Sequence, residues 1–178
     1  MTSSVTVRRV LLHEWERVRD LRLEAVSDPD AAIAFLSTRD EELARDESFW
    51  RERAAGAALG DNAAQFVAVD IDRWVGTATV LLRDGGTQDH HDRDVVTPRA
   101  DIVGVYLAPS HRGVGVLARM LDAASSWAEH RGANALTLDV HLENARAQAA
   151  YRAAGFTSTG VTFTSTIGPE IEMRRPIR

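Results

Sequence analysis

The stretch that decides the fold is VYLAPSHRGVGVLA, residues 105–118. It begins in a β-prone run, DIVGVYL (101–107), and leads into a segment where apolar residues recur every three or four positions, as in a helix. Gly113 and Gly115 stand at the junction, where glycine permits positive φ and close approach of the backbone. The first N–H groups of a helix lack internal partners, and Arg112 adds a charged donor. The stretch therefore predicts a strand, an anion-binding turn and a helix.

Two kinds of phosphate-bearing cofactor suit such a turn, beside the plain alternative that the glycines serve only packing. The order Gly113-x-Gly115-x-x-Ala118 matches a dinucleotide pattern, and Asp139 in LTLDV stands near the acid that such sites need. However, residues 108–112 separate the strand from the first glycine, whereas a dinucleotide site needs the two close together. The chain after Asp139 is also too short for the rest of a doubly wound sheet. The spacing therefore favours a phosphate-bearing cofactor other than a dinucleotide.

The composition is that of one ordinary globular domain, which we expect to span residues 1–178. The absence of cysteine excludes disulfides, thiolate metal sites and a cysteine nucleophile, and the absence of lysine excludes a catalytic lysine. A net charge of −5 argues against nucleic-acid binding and suits a cationic substrate. The N-terminal residues lack the apolar core of a signal peptide, and no apolar run approaches the roughly 20 residues of a membrane helix. We therefore expect a cytoplasmic protein with no membrane partner.

Hydrophobic periodicity predicts the element order β-α-α-β-β-β-α-β-α-β-β. The predicted strands are 5–10, 65–71, 74–82, 101–107, 135–140, 156–166 and 171–175, and the predicted helices are 14–26, 37–55, 113–130 and 144–154. Leu43, Phe49 and Trp50 are assigned to the apolar side of the second helix, and residues 83–98 to a long polar surface loop. An antiparallel N-terminal half followed by a β-α-β crossover predicts a single α/β domain with a mixed sheet.

Two separate motifs carry a resemblance to a known family. The first is V-x-L-x-P-x-x-R-G-x-G, from Val105 to Gly115, and the second is N-x-x-A-x-x-x-Y-x-x-x-G-F, from Asn144 to Phe156. With their separation and the strand order, they resemble the Gcn5-related N-acetyltransferase (GNAT) family over nearly the whole chain. The resemblance implies a mixed sheet with splayed strands and helices on both faces. It also implies an enzyme that takes acetyl-CoA as donor and an amine as acceptor.

The resemblance assigns roles along these motifs. The pyrophosphate would lie on backbone N–H groups beside Arg112, namely those of Gly113, Val114, Gly115, Val116 and Leu117. Val105 and Leu107 would pair with the pantetheine arm as an added strand does, and the Val105 N–H would stabilise the oxyanion. Tyr151 would protonate the leaving thiolate, unless it is simply a packed core tyrosine, and Asn144 would cap its helix and reach the cofactor arm. Leu117 departs from the pattern, because the family usually has a small residue there.

The amine must lose a proton, and the sequence leaves the acceptor of that proton open. Asp101 begins the strand that leads to Val105, where family members often carry a carboxylate base; a solvated charge at the strand end explains it equally well. His141 and a relay of water to the solvent are further candidates. The run DHHD (89–92) has metal-ligand chemistry, but such polar loops are more often solvated, so we expect no metal.

Three functions are compatible with these residues. The leading prediction is acetylation of a primary amine, on a small molecule, by direct attack in a ternary complex. A protein acetyltransferase acting on N-termini or lysines and a non-catalytic acetyl-CoA-binding module are the alternatives. Acidic residues between Asp40 and Glu47 suit a cationic acceptor, although a solvated helix face explains them as well. A homodimer through the C-terminal strands is compatible with the resemblance.

Overall fold

The structure is a computed structural model that describes residues 5–177. Its strands are β1 (Thr6–Arg9), β2 (Ala63–Asp70), β3 (Arg73–Arg83), β4 (Thr87–Gln88), β5 (Asp94–Val95), β6 (Arg99–Leu107), β7 (Ala135–His141), β8 (Thr157–Ser165) and β9 (Gly168–Pro176). Its α-helices are α1 (Trp15–Ala25), α2 (Arg39–Leu43), α3 (Glu47–Leu59), α4 (Val116–Glu129) and α5 (Ala145–Ala153), and short 3₁₀ turns cover Ala31–Ile33 and Pro109–His111.

Seven strands form one sheet in the order β1-β2-β3-β6-β7-β9-β8, and β4 and β5 form a separate small ribbon. Neighbouring strands of the large sheet are antiparallel except for β6 and β7, which are parallel. A parallel pair needs a crossover connection, which α4 supplies between β6 and β7. The predicted mixed sheet with an antiparallel N-terminal half and a β-α-β crossover is therefore confirmed.

Helices cover both faces of this sheet. Side chains alternate along β2, so Phe66 packs in the cluster of Leu121 on α4, while Val67 packs in the cluster of Trp50 on α3. The near-continuous apolar run of β2 follows from this arrangement, because both of its faces are buried. No helix within residues 5–177 is long and apolar enough to cross a membrane.

The strands β6 and β7 separate soon after they meet. In the described chain they pair at Ala100 with Leu136 and at Asp101 with Thr137, and the ladder between them ends there. On its other side β6 loses register with β3 near Gly104, whose φ is +61°, as in a β-bulge. The divergence opens a cleft at the carboxyl ends of two parallel strands, which is where α/β sheets commonly bind ligands. The predicted splay is thus confirmed.

Two predicted segments differ from the structure. The single helix expected over 37–55 is wrong, because α2 ends at Leu43 and the Asp46 side chain accepts a hydrogen bond from the Phe49 N–H, which starts α3. Leu43 was expected on the apolar side, but it is exposed. Residues 83–98 are also not a plain loop, since β4 and β5 form a ribbon that buries Asp89.

Candidate active site

A cleft of about 350 Å³ lies between the diverging ends of β6 and β7. Its walls include β6, β7, α5, the first turn of α4 and the segment from Asp28 to Phe35. The predicted site residues on these walls are Val105, Leu107, Arg112, Gly113, Leu117, Asn144 and Tyr151. The fold thus brings the two sequence motifs to one cavity, although the whole of α4 and β7 separates them along the chain.

The turn before α4 is shaped by its glycines. Gly113 and Gly115 have φ of +75° and +85°, and Gly115 is the N-cap of α4. Nothing lies within 4 Å of the point where a Cβ would stand at either position, so the need for glycine is conformational and the space outside the turn is open. The side chain of Val114 is exposed and that of Val116 is buried in the core. What these two predicted residues can offer to a ligand at the turn is therefore their backbone. The turn therefore offers N–H groups and open space to an anion.

Leu117, the residue that departs from the family pattern, is half-buried. Its side chain packs against the core and also lines the cleft. It therefore contributes to the wall of the cleft and to the core.

Arg112 is largely occupied by contacts within the protein. Its Nε donates to the Leu107 carbonyl at 2.8 Å, and one terminal nitrogen donates to the buried Asp28 carboxylate at 2.6 Å. Arg146 on α5 donates to Asp30 at 2.6 Å, so the segment from Asp28 to Phe35 is held to both the turn and α5. The second terminal nitrogen of Arg112 has no hydrogen bond within residues 5–177, and it is the donor that remains for a phosphate.

Asn144 and Tyr151 reach the cleft from α5. The Asn144 side-chain oxygen accepts a hydrogen bond from the Ala147 N–H at 3.1 Å, which caps the helix, and its amide nitrogen makes no hydrogen bond within residues 5–177. The Tyr151 ring is 9% exposed, and its hydroxyl has no hydrogen-bond partner in the described chain. Burial raises the pKa of Tyr151 well above its usual range, so the phenol stays protonated. Such a donor is suited to a group that binds in the cleft.

Asp101 does not line the cleft. Its carboxylate pairs with Arg99 at 2.8 Å and with Arg83 at 3.3 Å on the neighbouring β3. Burial raises the pKa of Asp101, against the effect of the two guanidinium groups. The structure therefore places this predicted base in an ion network beside the cleft, where its oxygens are occupied. His141 lines the cleft, and its Nδ1 accepts a hydrogen bond from the Glu143 N–H at 3.1 Å.

A second group of acids lines the cleft without having been predicted as a site. Asp139 on β7 and Glu170 on β9 have side chains 9% and 6% exposed, and each has one buried oxygen with no hydrogen-bond partner among the described residues. His91 Nε2 lies 3.8 Å from both carboxylates, and Arg93 donates to the other oxygen of Asp139 at 2.6 Å. Burial raises the pKa of Asp139 to about 7, although Arg93 opposes the shift. The site thus holds carboxylate oxygens that an ammonium group would satisfy.

The four residues of the run 89–92, which the sequence suggested as possible metal ligands, have separate surroundings in the structure. Asp89 is committed to Arg93 and Arg99, and Asp92 is exposed, whereas ligand atoms of His90, His91 and Asp139 lie within 4.8 Å of one another. These three residues have the chemistry of a metal site. The Arg93 guanidinium binds Asp139 at 2.6 Å, so this carboxylate is already part of an ion pair.

One site residue that was not predicted, Asp139, could have been found from a local signal in the sequence. Asp139 interrupts an otherwise apolar strand, ALTLDV, and an acid in a buried strand is a candidate for function. Glu170 gave none, and the DHHD run that contains His91 indicated only metal-ligand chemistry, because the position of both residues against β7 is set by the sheet and the ribbon.

Comparisons with known proteins agree with this geometry. The chain is 34% identical over 97 residues to an aminoglycoside N(6')-acetyltransferase type 1 of Stenotrophomonas maltophilia, a match that covers 54% of this chain and 61% of that protein. The chain thus spans less than two thirds of the length of this relative. A phosphinothricin acetyltransferase from Sinorhizobium meliloti, in complex with AcCoA, has a TM-score of 0.71 at 17% identity, over 98% of this chain and 89% of that one.

A further solved structure is that of AAC(6')-Iy in complex with the bisubstrate analogue CoA-S-monomethyl-acetylneamine. It has a TM-score of 0.67 at 19% identity, over 89% of this chain and 95% of that one, so both structures show a shared fold. The model of the GNAT acetyltransferase family matches residues 15–156, which is most of the chain and includes both motifs, the glycine turn and the splayed strands. The protein therefore belongs to the GNAT acetyltransferase family.

Proposed function

We propose that this protein transfers the acetyl group of acetyl-CoA to a primary amine of a small molecule, by direct attack of the amine in a ternary complex. One observation carries the proposal: a single cleft contains an anion-binding turn, a protonated tyrosine without a partner in the described chain, and buried carboxylates. The turn at Gly113 follows the carboxyl end of β6, whereas Asp139 and Glu170 line a second cavity together with Ile102 and Gly104 in the middle of that strand. The cleft therefore has a donor end and an acceptor end.

The donor end fits acetyl-CoA. The N–H groups from Gly113 to Leu117, the dipole of α4 and the remaining nitrogen of Arg112 suit the pyrophosphate. The edge of β6 that leaves β7 offers Val105 and Leu107 to the peptide-like arm, and Asn144 lines the same space. The Val105 N–H beside the bulge is the proposed oxyanion donor, an interaction worth about 3 kcal/mol in other acyl transfers.

The acceptor end supplies the proton chemistry. Asp139 takes one proton from the ammonium, and the free amine attacks the thioester carbonyl carbon, so that the C–N bond forms as the C–S bond breaks. Tyr151 gives its proton to the departing sulfur and regains the second proton of the nitrogen. An acid with a pKa of about 7 is well matched to this task near neutral pH, so we propose Asp139, and not Asp101, as the proton acceptor.

The size of the acceptor end supports a small molecule over a protein chain. Its cavity measures about 250 Å³, below the roughly 300–1,000 Å³ that is typical for drug-sized ligands. The aminoglycoside N(6')-acetyltransferases among the curated relatives support the same class of acceptor.

Calorimetric titration with acetyl-CoA, followed by an amine screen that measures thiol release, tests the proposal. We expect saturable binding and turnover with at least one small primary amine. Binding without turnover of any amine would instead identify a non-catalytic acetyl-CoA module, and the absence of binding would contradict both functions. Turnover with peptide N-termini or lysine peptides alone would identify a protein acetyltransferase.

A further inference from the structure

The acceptor cavity has charged groups of both signs on its walls. Besides Asp139, Glu170 and His91, it is lined by Arg53 of α3 and Arg22 of α1. It shares Ile102, Gly104 and both acids with the donor cleft, so an acceptor bound there lies next to the proposed thioester position. Assigning an acceptor to this cavity rests on the proposed acetyltransferase function, and the charges on its walls then define the class of that acceptor.

Arg53 provides a positive charge that no residue of the described chain neutralises directly. It makes no hydrogen bond and no ion pair within residues 5–177, and its guanidinium carbon lies 5.9 Å from the centre of the Trp50 ring. Burial, with the nearby charge of Arg22, lowers the pKa of Arg53, yet an arginine remains protonated at neutral pH. A cation in this position gains most from an anion that enters the cavity.

The neighbours of Arg53 increase the positive charge on this wall. Arg22 donates to Glu42 at 2.9 Å and to Ser37 at 2.7 Å, and Arg45 lies 3.9 Å from the same Glu42. Glu42 thus contacts Arg22 and Arg45, whereas it acts on Arg53 only through space. Arg53 is therefore the guanidinium on this part of the lining that is available to an anion in the cavity.

A second part of the lining carries unsatisfied acceptors. Asp139 and Glu170 each have a buried oxygen without a hydrogen-bond partner in the described chain, although Arg93 binds the other oxygen of Asp139 at 2.6 Å, and a buried acceptor without a donor is costly. Between the two walls the lining is apolar and small, with Phe35, Ile102 and Gly104. The lining of one cavity thus carries both the Arg53 guanidinium and the unsatisfied carboxylate oxygens of Asp139 and Glu170.

We infer that the acceptor is a small zwitterion, an amine and a carboxylate in one molecule, whose carboxylate binds Arg53 and whose ammonium binds Asp139 and Glu170. Acetylation removes the ammonium charge and forms a neutral amide, with net release of one proton and of CoA as the free thiol. The product keeps its carboxylate but loses its attraction to the two acids, which favours its release. A polycation such as an aminoglycoside would satisfy the acids and be repelled by Arg53.

Matched pairs of acceptors test this inference on the wild-type enzyme. Each standard amino acid is compared with its decarboxylated amine, together with an aminoglycoside, by thiol release from acetyl-CoA. We expect at least one amino acid to exceed its own decarboxylated amine in kcat/KM by about 10-fold to 100-fold, the effect of one charge-assisted hydrogen-bond pair. The inference is overturned if decarboxylated amines or the aminoglycoside are preferred throughout, and the proposed function would survive that result.

The variant Arg53→Gln assigns the effect to one residue. We expect KM for the amino acid to rise about 10-fold or more with little change in kcat, and KM for the decarboxylated amine to stay the same. Arg53→Lys should recover part of the loss. Arg51→Gln is the matched control, because Arg51 lies on the same helix with its side chain 58% exposed, and it should behave as wild type. Equal effects of Arg53→Gln on both members of a pair would show a structural role and refute the assignment.

If no amine is turned over, calorimetric titration of the same amino acids into the CoA-saturated enzyme replaces the rate. Binding that Arg53→Gln weakens about 10-fold would support the inference. Absence of binding by every amino acid would overturn it, whereas failure of acetyl-CoA itself to bind would overturn the proposed function instead.

Discussion

The donor end of the cleft is built from backbone, whereas the acceptor end is built from side chains. A single stretch from Val105 to Leu117 supplies the strand edge, the glycine turn and the helix start of the donor end. The acceptor end takes Arg53 from α3, Asp139 from β7, Glu170 from β9 and His91 from the loop between β4 and β5. Backbone groups are fixed by local conformation and tolerate changes of side chain, while a cluster of buried charges depends on every member. The two ends should therefore respond differently to substitution.

Tyr151 lies in the wall of the donor cleft, and its substitution should give the largest effect. Tyr151→Phe removes the proposed proton donor and keeps the ring, so we expect kcat to fall about 10²-fold to 10⁴-fold, the usual contribution of general acid catalysis. Acetyl-CoA affinity, measured by calorimetry, should stay within error, because the ring still fills the core. An unchanged kcat would show that another group protonates the sulfur.

Asp139→Asn should reduce kcat/KM about 10²-fold and alter the pH profile. Since the proposed base, Asp139, must be ionised and its pKa is about 7, wild-type kcat/KM should rise with pH through about 7 and then level off. Steady-state rates from pH 5 to 9 check this. An unchanged profile in Asp139→Asn would assign the titration to another group.

The raised pKa of Asp139 also has a consequence for the stability of the protein. Because the folded pKa of Asp139 lies above its unfolded value, ionisation of this acid costs stability as pH rises from about 4 through about 7. Asp139→Asn should therefore be more stable relative to wild type at pH 8 than at pH 5. Thermal unfolding of both proteins at the two pH values measures the difference.

Arg112→Ala tests the side chain on which the donor end depends most. It removes the hydrogen bond to the Leu107 carbonyl and leaves the buried Asp28 carboxylate without that partner. We expect KM for acetyl-CoA to rise about 10-fold and the protein to lose about 1–3 kcal/mol of stability. Acceptor KM should change little. A larger effect on acceptor KM than on acetyl-CoA KM would contradict the separation of the two ends.

The smallest effect is expected at Leu117. Its side chain is half-buried, so Leu117→Ala should cost about 1 kcal/mol, less than the roughly 2–5 kcal/mol of a fully buried leucine. Acetyl-CoA affinity should change less than about threefold, because in the proposed donor site the anion is bound by backbone N–H groups. A tenfold gain in affinity on shortening this residue would show instead that the leucine obstructs the donor site.

The donor end could be predicted from sequence to a large extent, and the acceptor end could not. Glycine at 113 and 115, the strand before them and the helix after them are local features, and the structure has them where they were expected. The proposed acceptor residues depend on the pairing of β7 with β9 and on the ribbon of β4 and β5. Asp101 illustrates why side-chain partners could not be predicted from sequence. Its position along β6 suggested a base, but Arg99 and Arg83 bind its oxygens away from the cleft.

The sequence by itself determined the element order, the mixed sheet, the turn and the family, because each rests on periodicity, on glycine conformation or on motifs of contiguous residues. Only the tertiary structure decided which charges meet in the cleft. Buried ionisable groups act through neighbours that are distant in sequence, and their partners determine whether an aspartate is an occupied ion pair, as at 101, or has a free oxygen within the described chain, as at 139.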